Sequence, residues 1–192
     1  MPTWMPHLFV AKKVNPNAKT DFYIGNLAPD SPTSREKRDI SHLRNSINME
    51  SELREFALKI DTQNEYLKGV LLHIFVDWKW ESLIVPAFIE KIGEGWHKKM
   101  YWDEGDLVEA HGFHSTDWAY ELWEQMDLCN TFDYIETHFI RKEDIKTLIR
   151  KGRKWMIQNK SEPSSIFTPV MLDNFASDTA DSFIKWFADL AN

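Results

Sequence analysis

Five residues of metal-binding type, His7, Asp30, His42, His73 and Asp77, fall within the first 77 of 192 positions. Imidazole nitrogens with carboxylate oxygens and no thiolate form a donor set suited to zinc, iron(II), manganese or nickel. His73 and Asp77 stand four apart in the apolar run from Gly69 to Trp78, a spacing that stacks them on one helix face where they can share an ion. An ionised Asp in apolar surroundings is costly unless a cation or several hydrogen bonds compensate it. The plain alternative for this pair alone is a core histidine hydrogen-bonded to its neighbour. Five donors exceed the three usually given to one catalytic zinc, so a carboxylate could instead bridge two ions about 3.5–4 Å apart.

His7 lies in Trp4-Met5-Pro6-His7, Asp30 in Gly25-Asn26-Leu27-Ala28-Pro29-Asp30, and His42 in Lys37-Arg38-Asp39-Ile40-Ser41-His42. With the Gly69-x-x-x-His73-x-x-x-Asp77 helix, these segments resemble, in order and spacing, the zinc-dependent phospholipase C family over roughly the first 85 residues. The resemblance implies an all-α, single-domain phospholipase C-like bundle over residues 1–192 that hydrolyses a small-molecule or lipid phosphoester. It implies Asp30, His42, His73 and Asp77 around one Zn2+, with His7 and a shared Asp77 serving a second. Asp30 is then the candidate catalytic group, orienting or deprotonating a water whose pKa the metal lowers from ~15.7 to about 7. Two departures stand out. Trp4 follows Met-Pro-Thr, so its amine is tied up in a peptide bond where the secreted enzymes use a free terminus. No His and Glu stand at the spacing of a third zinc site, which leaves Glu81, His97, His111 and His114 as secondary candidates.

Other chemistries find little footing. There is no Gly-x-Ser-x-Gly elbow, no phosphate-cradling glycine loop, and no His-Asp dipeptide of the kind that marks nucleotide phosphohydrolases. Acidic residues outnumber basic ones 30 to 23, for a net charge of -7, which argues against a nucleic-acid partner. The basic cluster Arg150-Lys151-Gly152-Arg153-Lys154 reads as a solvated helix face. Arg35, Lys37, Arg38 and Arg44 flank His42 and could hold a phosphate oxygen; solvated helix charge explains them equally well. Trp78, Trp80, Trp96, Trp102, Trp118 and Trp123 crowd the middle of the chain as core or as a box for a substrate. A non-catalytic helical scaffold that keeps the fold is the rival reading. The start lacks a secretory pattern and Cys129 is alone, so a cytoplasmic setting is expected; the apolar run is far short of a membrane span. Oligomeric state is left open.

Apolar residues recur at three and four almost throughout, which predicts helices. The first spans Thr3 to Val14. A second starts at a Thr20 cap and ends at Pro29, placing Asp30 on a loop or helix end. Thr33-x-x-Glu36 and Thr62-x-x-Glu65 read as capping boxes opening helices towards His42 and through His73, while another begins near Asn48. Pro86 is expected to kink or end the central helix. Helices are further predicted over Asp103–Ala110, Thr116–Leu128, Lys142–Gln158 and Thr168–Ala191, with a mobile loop at 161–165.

Overall fold

The structure is a computed structural model that describes residues 3–93 and 98–190; Trp96, His97 and Ala191 lie outside them. It is all-α. Its helices are α1 (Trp4–Val14), α2 (Thr20–Leu27), α3 (Arg35–Ser41), α4 (Met49–Lys59), α5 (Glu65–Lys79), α6 (Val85–Ile92), α7 (Lys98–Ser115), α8 (Ala119–Leu128), α9 (Lys142–Gln158) and α10 (Pro169–Ala188). A 3₁₀ turn, Ala28–Asp30, follows α2. Among the described residues, β pairing is confined to one isolated bridge, Thr137 with Ile140. One contiguous apolar core draws on every helix but α3, from Met5 and Leu8 to Phe183.

The centre of the fold is the crossing of α2 and α5, where backbone meets backbone. A Cβ on Gly25 would lie 2.0 Å from the Tyr66 carbonyl oxygen, and one on Gly69 would lie 2.1 Å from that of Phe22. Only glycine fits these two positions, because real Cβ atoms cannot approach backbone so closely. This contact fixes α5, with His73 and Asp77, against the chain that leads to Asp30.

Helix starts differ from the predicted ones by a residue or two. The caps are Ser34, which accepts the Lys37 N–H, and Asn64, which accepts the Leu67 N–H at 2.9 Å; neither Thr33 nor Thr62 caps. Lys19, not Thr20, precedes α2. Asn48 and Thr168 cap α4 and α10 as expected. Pro86 does not end the central helix. Lacking an N–H, it cannot serve the carbonyl four residues back, and the chain widens into a π turn, Trp80–Ile84, closed by Val85 N–H to the Trp80 carbonyl. The Trp80 indole then donates to the Tyr101 hydroxyl at 2.6 Å, joining this turn to α7. Helix α7 is longer than predicted at both ends and carries His111 and His114 within it. The 161–165 segment is anchored rather than loose: the Ser161 hydroxyl donates to the Leu107 carbonyl, while buried Ser164 bonds Glu104 and accepts the Ile166 and Phe167 N–H groups.

Candidate metal centre

The five side chains singled out in the sequence meet. His7 comes from α1, Asp30 from the 3₁₀ turn, His42 from the residue that caps the C-terminus of α3, and His73 and Asp77 from adjacent turns of α5. The three imidazoles are fully buried and Asp77 is 4% exposed, while the Asp30 side chain keeps 12% of its surface exposed. His42, His73 and Asp77 form one convergent group, and His7, Asp30 and His73 another.

Hydrogen bonds decide which nitrogens face inward. His73 Nδ1 lies 2.7 Å from the Asn26 carbonyl and His42 Nδ1 lies 2.7 Å from the Arg38 carbonyl. A carbonyl only accepts, so each Nδ1 carries the proton and each neutral ring turns a bare Nε2 lone pair into the centre. Those two Nε2 atoms stand 3.1 Å apart. Facing lone pairs repel unless a proton or a cation sits between them. Peptide carbonyls orienting the outer nitrogens of paired histidines are the usual support of a metal ligand.

Asp77 is the second sign. Neither of its buried oxygens has a hydrogen-bond partner, and the same holds for both nitrogens of His7. Asp77 Oδ1 is 3.4 Å from His7 Nε2, and Oδ2 is 3.5 Å from His42 Nε2 and 3.9 Å from His73 Nε2. His42 Nε2 is 3.3 Å from Asp30 Oδ1. These spacings exceed the about 2.7–2.9 Å of a charge-assisted hydrogen bond. Those of 3.3, 3.4 and 3.5 Å match the about 3.3–3.6 Å between neighbouring donors held tetrahedrally at about 2.0–2.2 Å from one ion, and the 3.9 Å from Asp77 Oδ2 to His73 Nε2 is longer. The residues present therefore fit a divalent cation, and the donor set alone does not select which.

The ring of charges sets the protonation states. Burial acts to raise Asp30, yet the His42 contact and the His73, His42 and His7 rings outweigh it and hold the carboxyl down at about 2. Asp77 is likewise held below the carboxylate range, burial being overcome by the neighbouring imidazoles. Burial pushes His73 down to about 3, helped by His7 and His42 against Asp77 and Asp30. His42 moves up: burial opposes it, but Asp30 and Asp77 prevail.

The centre opens on one side, through Asp30. A cleft of about 420 Å³ runs from Asp30 past Arg38 to Trp4, Trp102 and Trp155, with Lys151, Asp106 and Glu109 also on its walls. Trp102 and Asp106 lie one turn apart on α7, and Lys151 and Trp155 one turn apart on α9. Of the basic residues beside His42, Arg38 reaches the cleft, whereas Arg35 and Arg44 pair with Asp39.

The secondary candidates go elsewhere. Glu81 is exposed on the π turn. His114 Nε2 lies 3.0 Å from the Met156 carbonyl and 2.9 Å from that of Asn159, bracing the end of α9, and His111 lines a separate cavity of about 360 Å³. None of these three belongs to either convergent group. Trp80 and Trp123 are buried in the core, and Trp78 and Trp118 pack against it; of the named tryptophans, Trp102 lines the cleft.

Glu109 has no counterpart in the sequence reading. Helix α1 begins without an acidic residue in its first turn, and the Thr3 side chain does not cap it. Instead, buried Glu109 accepts the Met5 N–H at 2.8 Å from 104 positions away, so α7 caps the helix that carries His7. Burial pushes its carboxyl up from 4.5 to about 8, opposed by the Thr3 hydroxyl and the Met5 N–H and reinforced by Asp30 and Asp106. Below pH 4.5 folded and unfolded chains both hold this proton. Between 4.5 and 8 only the unfolded chain gives it up, so this group's contribution to stability falls with rising pH, by up to about 1.4 kcal/mol per unit. Denaturant titrations of the metal-free protein from pH 5 to 8 should therefore show a shallower decline in Glu109→Gln than in the parent; parallel profiles would contradict this.

No family model, curated protein or solved structure matches the chain. Among the described residues, no helix is long and apolar enough to cross a membrane.

Proposed function

We propose that the protein is a metal-dependent hydrolase of phosphoesters. The observation that carries this reading is the pair of inward-facing Nε2 atoms 3.1 Å apart beside the unpartnered carboxylate of Asp77, at the inner end of a cleft that also holds Arg38 and Lys151. The resemblance of the first 85 residues to zinc-dependent phospholipases C supports it, with Zn2+ the first choice and Fe, Mn or Ni the alternatives.

His42, His73, Asp77 and Asp30 would hold the principal ion. His73 has one free lone pair and can serve only one ion. A second ion would thus rest on His7 and Asp77 Oδ1 alone, a weaker seat. When bound, the metal supplies Lewis acidity, drawing charge from a phosphoryl oxygen and lowering the pKa of a water to about 7. Asp30 is the one of the five that lines the cleft, so its ionised carboxylate meets the incoming ester and accepts a hydrogen bond from the attacking water. Arg38 offers a planar pair of donors to the phosphoryl oxygens, and Lys151 adds a point charge.

The test uses full-length chain purified without a metal-affinity tag, reconstituted with Zn2+, Mn2+ or Fe2+ and offered a panel of phosphomonoesters and phosphodiesters. Turnover that falls at least about 100-fold in His73→Ala, with helicity unchanged by circular dichroism, is expected. Equal activity in variant and parent would reject the assignment.

A further inference from the structure

The lining of the cleft narrows the substrate class. Arg38 and Lys151 make no ion pair among the described residues, whereas Arg150 and Arg153, from the same basic cluster as Lys151, pair with Asp127, Arg153 also with Glu124. Helical spacing explains the division: residues 151 and 155 line the metal cleft, while residues 150, 153, 154 and 157 line a shallow pocket elsewhere. Two cations left without carboxylate partners beside a candidate ion site are placed to receive an anion.

Two unpaired cations suit a phosphate with three free oxygens. A divalent ion would be neutralised by Asp30 and Asp77, which leaves Arg38 and Lys151 to meet those oxygens, with Asp106 and the buried Glu109 on the same walls. The outer walls are tryptophan: Trp4, Trp155, and Trp102, a residue 48% exposed that offers its ring for stacking. A cleft of about 420 Å³ lies within the about 300–1,000 Å³ of small-molecule sites. One flat ring with its phosphate fits inside; two long acyl chains do not.

Resting on the phosphoesterase reading, we infer that the substrate is a phosphomonoester of an aromatic or aryl-bearing alcohol, its phosphate held by Arg38 and Lys151 and its ring stacked on Trp102 and Trp155. Water adds to phosphorus, the bond to the organic oxygen breaks, and inorganic phosphate and the free alcohol leave.

Binding and turnover test this separately. Calorimetry of the metal-loaded full chain would compare phenylphosphonate with methylphosphonate, which lacks the ring, and with phenyl methylphosphonate, which has one charge. Phenylphosphonate should bind at least 10-fold more tightly than either. The double variant Arg38→Gln, Lys151→Gln should lose at least 10-fold of that affinity, and Trp102→Ala should erase the advantage over methylphosphonate. In parallel, kcat/KM for phenyl phosphate should exceed that for diphenyl phosphate by at least 10-fold. Phenylphosphonate binding no tighter than its two comparators, or as tightly in the double variant as in the parent, would overturn the inference. Ester cleavage without a monoester preference would overturn it as well, while leaving the phosphoesterase reading intact. Selective phenylphosphonate binding with no turnover of any ester would do the reverse, sustaining the site and removing the hydrolase.

Discussion

Asp77→Asn is expected to weaken divalent-ion binding by at least about 100-fold while leaving the helices in place. Asparagine keeps the shape of the side chain but removes the charge and one of two strong oxygen donors. Asp77 is the hub of the site, with Oδ1 turned to His7 and Oδ2 to His42 and His73, and it is buried without any hydrogen bond that would explain its charge otherwise. Changes even to the residues behind metal ligands cost about 10–100-fold in affinity, and loss of a ligand costs more. The same change should appear in stability. A 100-fold rise in Kd removes up to about 2.7 kcal/mol of metal-dependent stabilisation at saturating ion. Calorimetric titration with Zn2+ and Mn2+, paired with thermal melts with and without ion, would measure both. An unchanged affinity would mean that Asp77 is a structural carboxylate and that the ion, if there is one, sits elsewhere.

Gly69→Ala, and likewise Gly25→Ala, should destabilise the fold by about 3 kcal/mol or more, for a fall in Tm on the order of 10 °C. A methyl at either position would stand near 2 Å from a backbone carbonyl oxygen, and backbone cannot swing aside as a flexible side chain can. Helices α2 and α5 would have to separate. That motion also breaks the hydrogen bond from His73 Nδ1 to the Asn26 carbonyl and shifts Asp30 relative to Asp77, so ion affinity should drop in whatever fraction remains folded. Differential scanning calorimetry measures the first effect and metal titration the second. A change within about 1 kcal/mol would show that the crossing is less tight than described.

The glycine pair illustrates what the sequence discloses and what it hides. Glycine within an apolar helical run is visible, but its reason is a second glycine 44 positions earlier, on a helix whose partner is known only once the chain is folded. The helices themselves were legible because apolar spacing is local, and α1, α9 and the start of α10 fall where the periodicity puts them. Caps were legible in kind but not in position, since Ser34 and Asn64 compete with threonines one and two residues before them. The end of α3 carries no glycine. Leu43 takes the left-handed conformation there, with φ 55, while the Arg44 N–H reaches the Asp39 carbonyl and the Leu43 N–H that of Ile40. Helix α7 runs past its predicted end at Ala110 and through Gly112, and it contains Gly105 as well. Both lie on its packed face, Gly105 beside Thr3 and Gly112 beside Phe9 and Met5, where a larger residue would crowd α1.

His73 and Asp77 were legible from their four-residue spacing in an apolar run, and His7, Asp30 and His42 joined them through the resemblance that their segments carry. Their surroundings were not. Glu109 caps α1 from α7, and Lys151 and Trp155 enter the cleft from α9, contacts that link residues more than 100 positions apart and leave no local pattern. The basic cluster illustrates the same limit: read as one wet helix face, it divides between a paired surface network and an unpaired lysine at the cleft.

Anomalous X-ray scattering from crystals of the full chain grown with Zn2+ tests the central claim most directly. A single strong peak within about 2.0–2.2 Å of His42 Nε2, His73 Nε2, an Asp30 oxygen and an Asp77 oxygen is the expected result, with any second, weaker peak between His7 and Asp77. Absence of a peak there, with the five side chains in place and zinc bound at other surfaces, would contradict it.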